Sequence, residues 1–288
     1  MRRAIAMLAG ALVSLAGCSG VPGADPSAVT IDAITVGVGD GGEPKLDYPI
    51  GGDFAKVESR IEWEGDGEKV VDGDPVLLDL YSESLATGNV IVDTYVELPQ
   101  AYLMAPELLG QELYDALLGH RVGTRILLVL PEEPTHPALG PVAIVADVLP
   151  SQAVGVTQAT EDDMPFVVSG VHGAPSLTFR EDTDLPTDLA SAVVIQGDGP
   201  QIHTGSRVLL NYLEVSATTR ETVASTWPLE TGPWGVTVGQ GQMPTGLEQS
   251  LIDVAQGSRI IVIVPPVEGY GDDRLIFVVD VLAVRDPV

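Results

Sequence analysis

An ordered set of landmarks occurs twice in this chain. Gly65-Asp66-Gly67 is followed after five residues by Gly73-Asp74-Pro75-Val76-Leu77-Leu78, and Gly197-Asp198-Gly199 is followed after five residues by Gly205-Ser206-Arg207-Val208-Leu209-Leu210. The two sets lie 132 positions apart. Further on, Gly123-Thr124-Arg125-Ile126 matches Gly257-Ser258-Arg259-Ile260 at a separation of 134, with Pro131 and Pro265 behind them. Ala143 to Leu149 corresponds to Ile276 to Leu282, and upstream Gly42-Glu43-Pro44-Lys45-Leu46 corresponds to Gly173-Ala174-Pro175-Ser176-Leu177. Landmarks kept in order over about 110 residues mean one architecture built twice, which fixes domain number better than length does.

Each copy reads mostly as sheet. Val76 to Tyr81, Arg125 to Leu130 and Ala143 to Leu149, with Val208 to Val215, Arg259 to Val264 and Leu275 to Leu282, are Val, Ile and Leu runs bounded by Gly, Pro or Asp, as strands are. Each copy offers one helical candidate, Glu107 to Leu118 and Thr245 to Val254. In the second, Leu247, Leu251 and Val254 form one apolar stripe at i, i+4 and i+7, ready to lie against a sheet. Pro106 and Pro244 stand near the helix starts, where a missing N–H costs least. The expected fold class is α+β: two tandem domains, each a curved antiparallel sheet wrapped around one short helix.

The beginning of the chain carries a different signal. Met1-Arg2-Arg3 is basic, and Ala4 to Ala16 is an apolar run of signal-peptide length, too short to remain as a membrane span. The run ends Leu15-Ala16-Gly17-Cys18 and resembles a bacterial lipobox, in which the cysteine takes a lipid and becomes the first mature residue. Cys18 is the single cysteine, so no disulfide staples the mature fold. The expected organisation is a lipoprotein signal peptide over 1–17, an anchor and spacer over 18–30, a first domain over 31–150, a linker over 151–165 and a second domain over 166–288. The linker reading rests on the polar, acidic run Ser151 to Asp163, which leads into an expected strand from Phe166 to Val171.

Charge excludes some partners. Asp and Glu outnumber Lys and Arg by 41 to 14, a formal net charge of −27 that repels phosphate backbones and anionic headgroups. No nucleic acid partner is expected, and the membrane is expected to be met through the lipid anchor only. His120, His136, His172 and His203 are scattered without ligand spacing, and neither Glu161-Asp162-Asp163 nor Glu181-Asp182-Thr183-Asp184 has calcium-loop spacing, so neither metal nor cofactor is expected. There is no G-x-S-x-G elbow.

The second copy resembles the FKBP-type peptidyl-prolyl isomerases. The resemblance is carried by the GDG turn, by Asn211-Tyr212, by Pro233-Trp234-Gly235-Val236 and by Gln242-Met243-Pro244-Thr245-Gly246-Leu247-Glu248. It continues in Val264-Pro265-Pro266-Val267-Glu268-Gly269-Tyr270-Gly271 and the closing run Leu275-Ile276-Phe277-Val278-Val279. It spans roughly residues 192 to 284. It implies a curved half-barrel around a helix with a shallow apolar proline pocket between them; together with the lipobox, the expected action is outside the cytoplasm, on proline-containing segments of exported or unfolded proteins. Tyr212, Trp234, Tyr270 and Phe277 would be the catalytic set, with Tyr270 donating its hydroxyl to the substrate carbonyl and the other three walling the pyrrolidine ring. Val223, Val236, Met243, Pro244 and Leu247 would complete the substrate-binding surface.

Three departures from the family pattern stand out. Leu247 replaces a tryptophan floor, Ala224 replaces an aspartate, and Gly271-Asp272-Asp273 is a much shortened version of the overhanging loop. The first copy departs further: Leu80 and Leu113 replace the tyrosine and tryptophan, and Pro131 to Pro137 lacks the Tyr-Gly ending, although Asp93 keeps the position that Ala224 has lost. It reads as a degenerate structural or binding copy. For the second copy two readings stay open, a prolyl isomerase and a non-catalytic binding or holdase lipoprotein.

Overall fold

A computed structural model describes residues 29–39, 42–135, 137–160, 163–180, 184–228 and 231–286. The signal-peptide region, Cys18 and most of the expected spacer lie outside the described residues, as does His136. The repeat in the sequence is a repeat in topology. In the first half the antiparallel strands run in the order Glu58–Trp63, Arg125–Leu130, Val142–Leu149, Pro75–Ser84 and Val90–Asp93, with Gln100–Leu103 also pairing Pro75–Ser84. In the second half the order is Ala190–Gln196, Arg259–Val264, Leu275–Arg285, Arg207–Ser216 and Thr222–Ser225, with Trp234–Thr237 on Arg207–Ser216. Each half also begins with a small hairpin, Thr35–Val38 with Pro44–Asp47 and Phe166–Ser169 with Pro175–Thr178.

These hairpins explain why the strands read as continuous apolar runs rather than alternating ones, because both faces of each sheet are covered. In the second half Ile260, Val262, Val264, Phe277, Val279 and Val281 face the helix, in one buried cluster with Leu247 and Leu251. Ile261, Ile263, Ile276 and Val278 face the other way, under Val167, Leu177 and Phe179 of the hairpin and its flank. The first half repeats the division, with Ile126, Leu128, Ala146 and Val148 on one side and Leu127, Val129, Ala143 and Val145 on the other.

The repeated GDG turn has a steric cause. A Cβ on Gly65 would lie 2.1 Å from the Val122 carbonyl oxygen, and one on Gly197 would lie 2.3 Å from that of Gln256, so main chain crosses main chain where no side chain fits. The crossing is held in both halves by a hydroxyl: the N–H of Gly65 donates to Thr124 Oγ1 and that of Gly197 to Ser258 Oγ, both at 3.0 Å.

Several boundaries differ from the sequence expectation. The first helical candidate, 107–118, is two short helices, Pro106–Leu109 and Gln111–Leu117, broken at Gly110 with φ 78° and ψ 149°, a conformation that glycine adopts freely. The second, 245–254, is Thr245–Leu251; Ile252 turns extended and Asp253 takes φ 64°, so Val254 packs on the core from outside the helix. The strand expected over 166–171 ends at Ser169. Part of the stretch expected as a linker is built into the second sheet: Val156–Thr157 pairs with Ala190–Gln196, and the Val154 N–H donates to the Gly257 carbonyl at 2.9 Å.

A buried ion pair sits at the same place in each half. Arg259 grips Asp280 through Nε to Oδ1 at 2.5 Å and Nη2 to Oδ2 at 2.7 Å, with the side chains 2% and 0% exposed. The guanidinium also donates to Ser169 Oγ and to the Gly173 carbonyl, which ties the hairpin to the sheet, while Asp280 accepts the Ala153 N–H at 2.8 Å. In the first half Arg125 grips Asp147 by two contacts of 2.6 Å, and Asp147 also accepts the Tyr95 hydroxyl.

The halves pack on one another. Leu77 from the first half and Leu209, Leu282 and Ala283 from the second form a buried cluster, with Leu98 and Leu149 at its edge. Arg285 donates to Asp79 Oδ2 at 2.6 Å and to the Tyr95 carbonyl, and Arg207 donates to the Val96 carbonyl. No helix among the described residues is long and apolar enough to cross a membrane.

Candidate active site

Alternation along Arg207–Ser216 decides which side chains can meet. Val208 and Leu210 belong to the helix-side core and Leu213 and Val215 to the hairpin-side core, so Tyr212 and Glu214 share the helix side. Trp234 joins that side because it pairs with Leu210, and Phe277 does so because it pairs with Glu214. The Tyr212 ring therefore meets Trp234 edge-on, at 5.6 Å between centroids and 63° between planes, and Phe277 at 6.4 Å and 54°. Both geometries are favourable for aromatic pairs. Tyr212 is held from behind by Thr226, whose hydroxyl accepts the Tyr212 N–H at 2.8 Å and donates to Asn211 Oδ1 at 3.0 Å.

Of the nine residues predicted from the sequence, Tyr212, Trp234 and Phe277 are brought together, Phe277 as a 2% exposed floor and the other two half-buried. Val236, Met243 and Leu247 are buried in the same core, and Pro244 caps the helix start beside them. Val223 lies on the edge strand, 57% exposed. Tyr270 projects from the turn after Pro266–Glu268 and is 67% exposed, with no ring contact to the other three. Its phenol is nonetheless raised above the ordinary value, by desolvation first and then by Glu214 and Tyr212. Desolvation and then Glu214 raise the Tyr212 phenol in the same way. Both hydroxyls thus keep their protons near neutral pH and remain donors. The turn behind Tyr270 is pinned by Asp273, which accepts from the Ser216 and Thr218 hydroxyls; those bonds hold its carboxyl below the usual range.

Glu214 was missed by sequence reasoning, although its place two residues after Tyr212 in a strand was the signal that could have found it. The site also differs in its surroundings from a deep pocket. A cavity of about 480 Å³ lies between the halves, lined by residues including Tyr102, His172, Trp227 and Pro233, and none of the nine predicted residues lines it. In the first half Leu80 and Ile144 take the places of Tyr212 and Phe277, Gln100 takes the place of Trp234, and Tyr102 that of Val236, so the aromatic cluster is not repeated there. Among the described residues no group of three or more His, Cys, Asp or Glu could hold a metal ion.

Comparison with known proteins supplies the family. The profile of the FKBP-type peptidyl-prolyl cis-trans isomerases matches residues 199–279, a stretch containing all nine predicted site residues. An FK506-binding protein of Streptomyces anulatus is 33% identical over 110 residues, covering 34% of this chain and 88% of its own. The chain belongs to the FKBP-type peptidyl-prolyl cis-trans isomerase family. Among solved structures, the three FKBP domains of wheat FKBP73 cover 80% of this chain and 95% of their own at 15% identity and a TM-score of 0.33. FkpA from Escherichia coli covers 34% of this chain and 48% of its own at 20% identity and a TM-score of 0.31.

Proposed function

We propose that the second half catalyses cis–trans rotation of X–Pro bonds in exported or unfolded proteins, outside the cytoplasm, and that a lipid on Cys18 holds the protein at the membrane. The two halves are tandem FKBP-like domains in this reading, the first a degenerate copy without turnover. The observation that carries it is the cluster of Tyr212, Trp234 and Phe277. Rotation about X–Pro breaks amide resonance against a barrier of about 18–20 kcal/mol and needs no bond to be made or cut. Three rings at one end of a sheet exclude water, which otherwise stabilises the planar, charge-separated amide. The Tyr270 hydroxyl donates to the carbonyl before proline, and it accelerates rotation to the extent that it binds the twisted amide better than the planar one.

A protease-coupled X–Pro assay on the full chain tests the proposal. Turnover above the buffer blank is expected; turnover equal to it ends the catalytic reading. Tyr270→Phe is expected to lower kcat/KM by about threefold to tenfold, the range of one lost neutral hydrogen bond. The anchor is tested by Cys18→Ser, which should move the protein from the membrane fraction to the soluble one. Val223, Val267 and Tyr270, exposed by 57%, 91% and 67%, favour a second reading in which the same surface holds unfolded chains without turnover. Binding of such chains with no effect on X–Pro exchange would select it.

A further inference from the structure

Four carboxylates are buried among the described residues: Asp79, Glu83, Glu214 and Asp280. Asp280 is gripped by Arg259, Asp79 by Arg285 and Thr94, and Glu83 accepts the Tyr81 hydroxyl at 2.7 Å. Glu214, only 7% exposed, has neither a hydrogen bond nor an ion pair with any described residue. Its oxygens are not sealed from water as Oε2 of Glu268 is, so the carboxyl, unmatched by the protein, is open to a partner that arrives from outside.

Its position says where that partner would come from. Glu214 lies on the helix-side face of its strand, two residues beyond Tyr212 and directly opposite Phe277 on one neighbouring strand and Ala224 on the other. Ala224 is too short to reach across and supplies no polar group. The carboxyl is close enough to Tyr212 and Tyr270 to act on both phenols. It therefore stands at the border of the aromatic cluster, opposite Phe277 and on the same face as Tyr212.

We propose that Glu214 is a specificity-determining residue that selects segments carrying a lysine or arginine next to the proline. The proposal rests on the aromatic cluster being the peptide site. A cationic side chain of the residue before or after proline would reach Glu214 while the pyrrolidine ring lies on Tyr212 and Trp234, and its charge would supply the partner that the protein does not. The rings on either side add a second attraction for the same group, since a cation over an aromatic face is stabilised. The formal charge of −27 draws basic segments toward the whole molecule, but it does so without regard to where the proline lies. Glu214 would make the choice local.

The test uses the full chain and four peptides that differ only before the proline: lysine, acetyl-lysine, leucine and glutamate. Binding is read by fluorescence anisotropy and turnover by the coupled assay. The wild type is expected to bind the lysine peptide about tenfold more tightly than the acetyl-lysine and leucine peptides, the range of a charge-assisted hydrogen bond, and the glutamate peptide most weakly. Glu214→Gln should bring the lysine and acetyl-lysine peptides within about twofold of each other. The acetyl-lysine comparison is made on wild type, so equal binding there overturns the assignment even where the variant fails to fold, and a lysine moved four residues from the proline, expected to lose the preference, separates Glu214 from the general attraction of the net charge. A charge preference in binding with no turnover on any peptide would remove catalysis and leave this assignment standing. Equal binding of lysine and acetyl-lysine by wild type, or an undiminished preference in Glu214→Gln, would overturn it.

Discussion

Replacing Asp280 with alanine is expected to lower the thermal midpoint by about 10 °C, from a loss of roughly 3–5 kcal/mol. The size follows from what the substitution leaves behind. Arg259 is 1% exposed and its guanidinium would keep only the Ser169 hydroxyl and the Gly173 carbonyl as partners, with no opposing charge in a dry interior. The Ala153 N–H would lose its acceptor as well. Asp147→Ala should cost less, because the Asp147 side chain is 16% exposed and water can reach the abandoned Arg125. Differential scanning calorimetry of both variants checks the ranking. A double variant, Arg259→Met with Asp280→Leu, should recover much of the loss, since replacing both partners removes the stranded charge. An Asp280→Ala protein melting within about 2 °C of wild type would mean that the pair contributes nothing beyond packing.

Trp234→Ala is expected to lower kcat/KM for X–Pro rotation by roughly 30-fold while leaving the thermal midpoint nearly unchanged. The ring is half-buried and stands at the edge of the cluster, so the core loses little by its removal. The Tyr212 ring, however, loses the edge contact at 5.6 Å that fixes its angle, and water gains entry to the face on which a pyrrolidine would lie. About 2 kcal/mol of lost transition-state binding corresponds to that rate change. Gln100→Ala, at the corresponding place in the first half, should leave turnover as it is. A Trp234→Ala enzyme within twofold of wild type would remove this ring from the site.

Topology was legible because duplication writes the same turn chemistry twice. Gly65 and Gly197 each mark a backbone crossing that only glycine allows, and once these were aligned the strands between them fell into place. Helix ends were less legible, since Gly110 and Asp253 end or break a periodic pattern through backbone conformation rather than through polarity. The covering hairpins left their trace in runs such as Arg259–Val264, buried at every position, a pattern that shows two covered faces without showing what covers them. At the site, the order of aromatic landmarks placed Tyr212, Trp234 and Phe277 together. Glu214 escaped notice because a lone acid in a strand carries no motif; its interest comes from lacking a partner, which only packing reveals.

The contact between the halves bears on how a shorter version of the protein could be made. Cutting between 157 and 165 would strip Asp280 of the Ala153 amide and the second sheet of its outer strand, Val156–Thr157. Cutting before 151 would spare both, yet it would bare Leu209 and Leu282 and leave Arg285 without Asp79. A minimal catalytic fragment would thus carry a new sticky patch at the end of its longest strand, and a polar substitution at Leu282 is the repair to build in from the start.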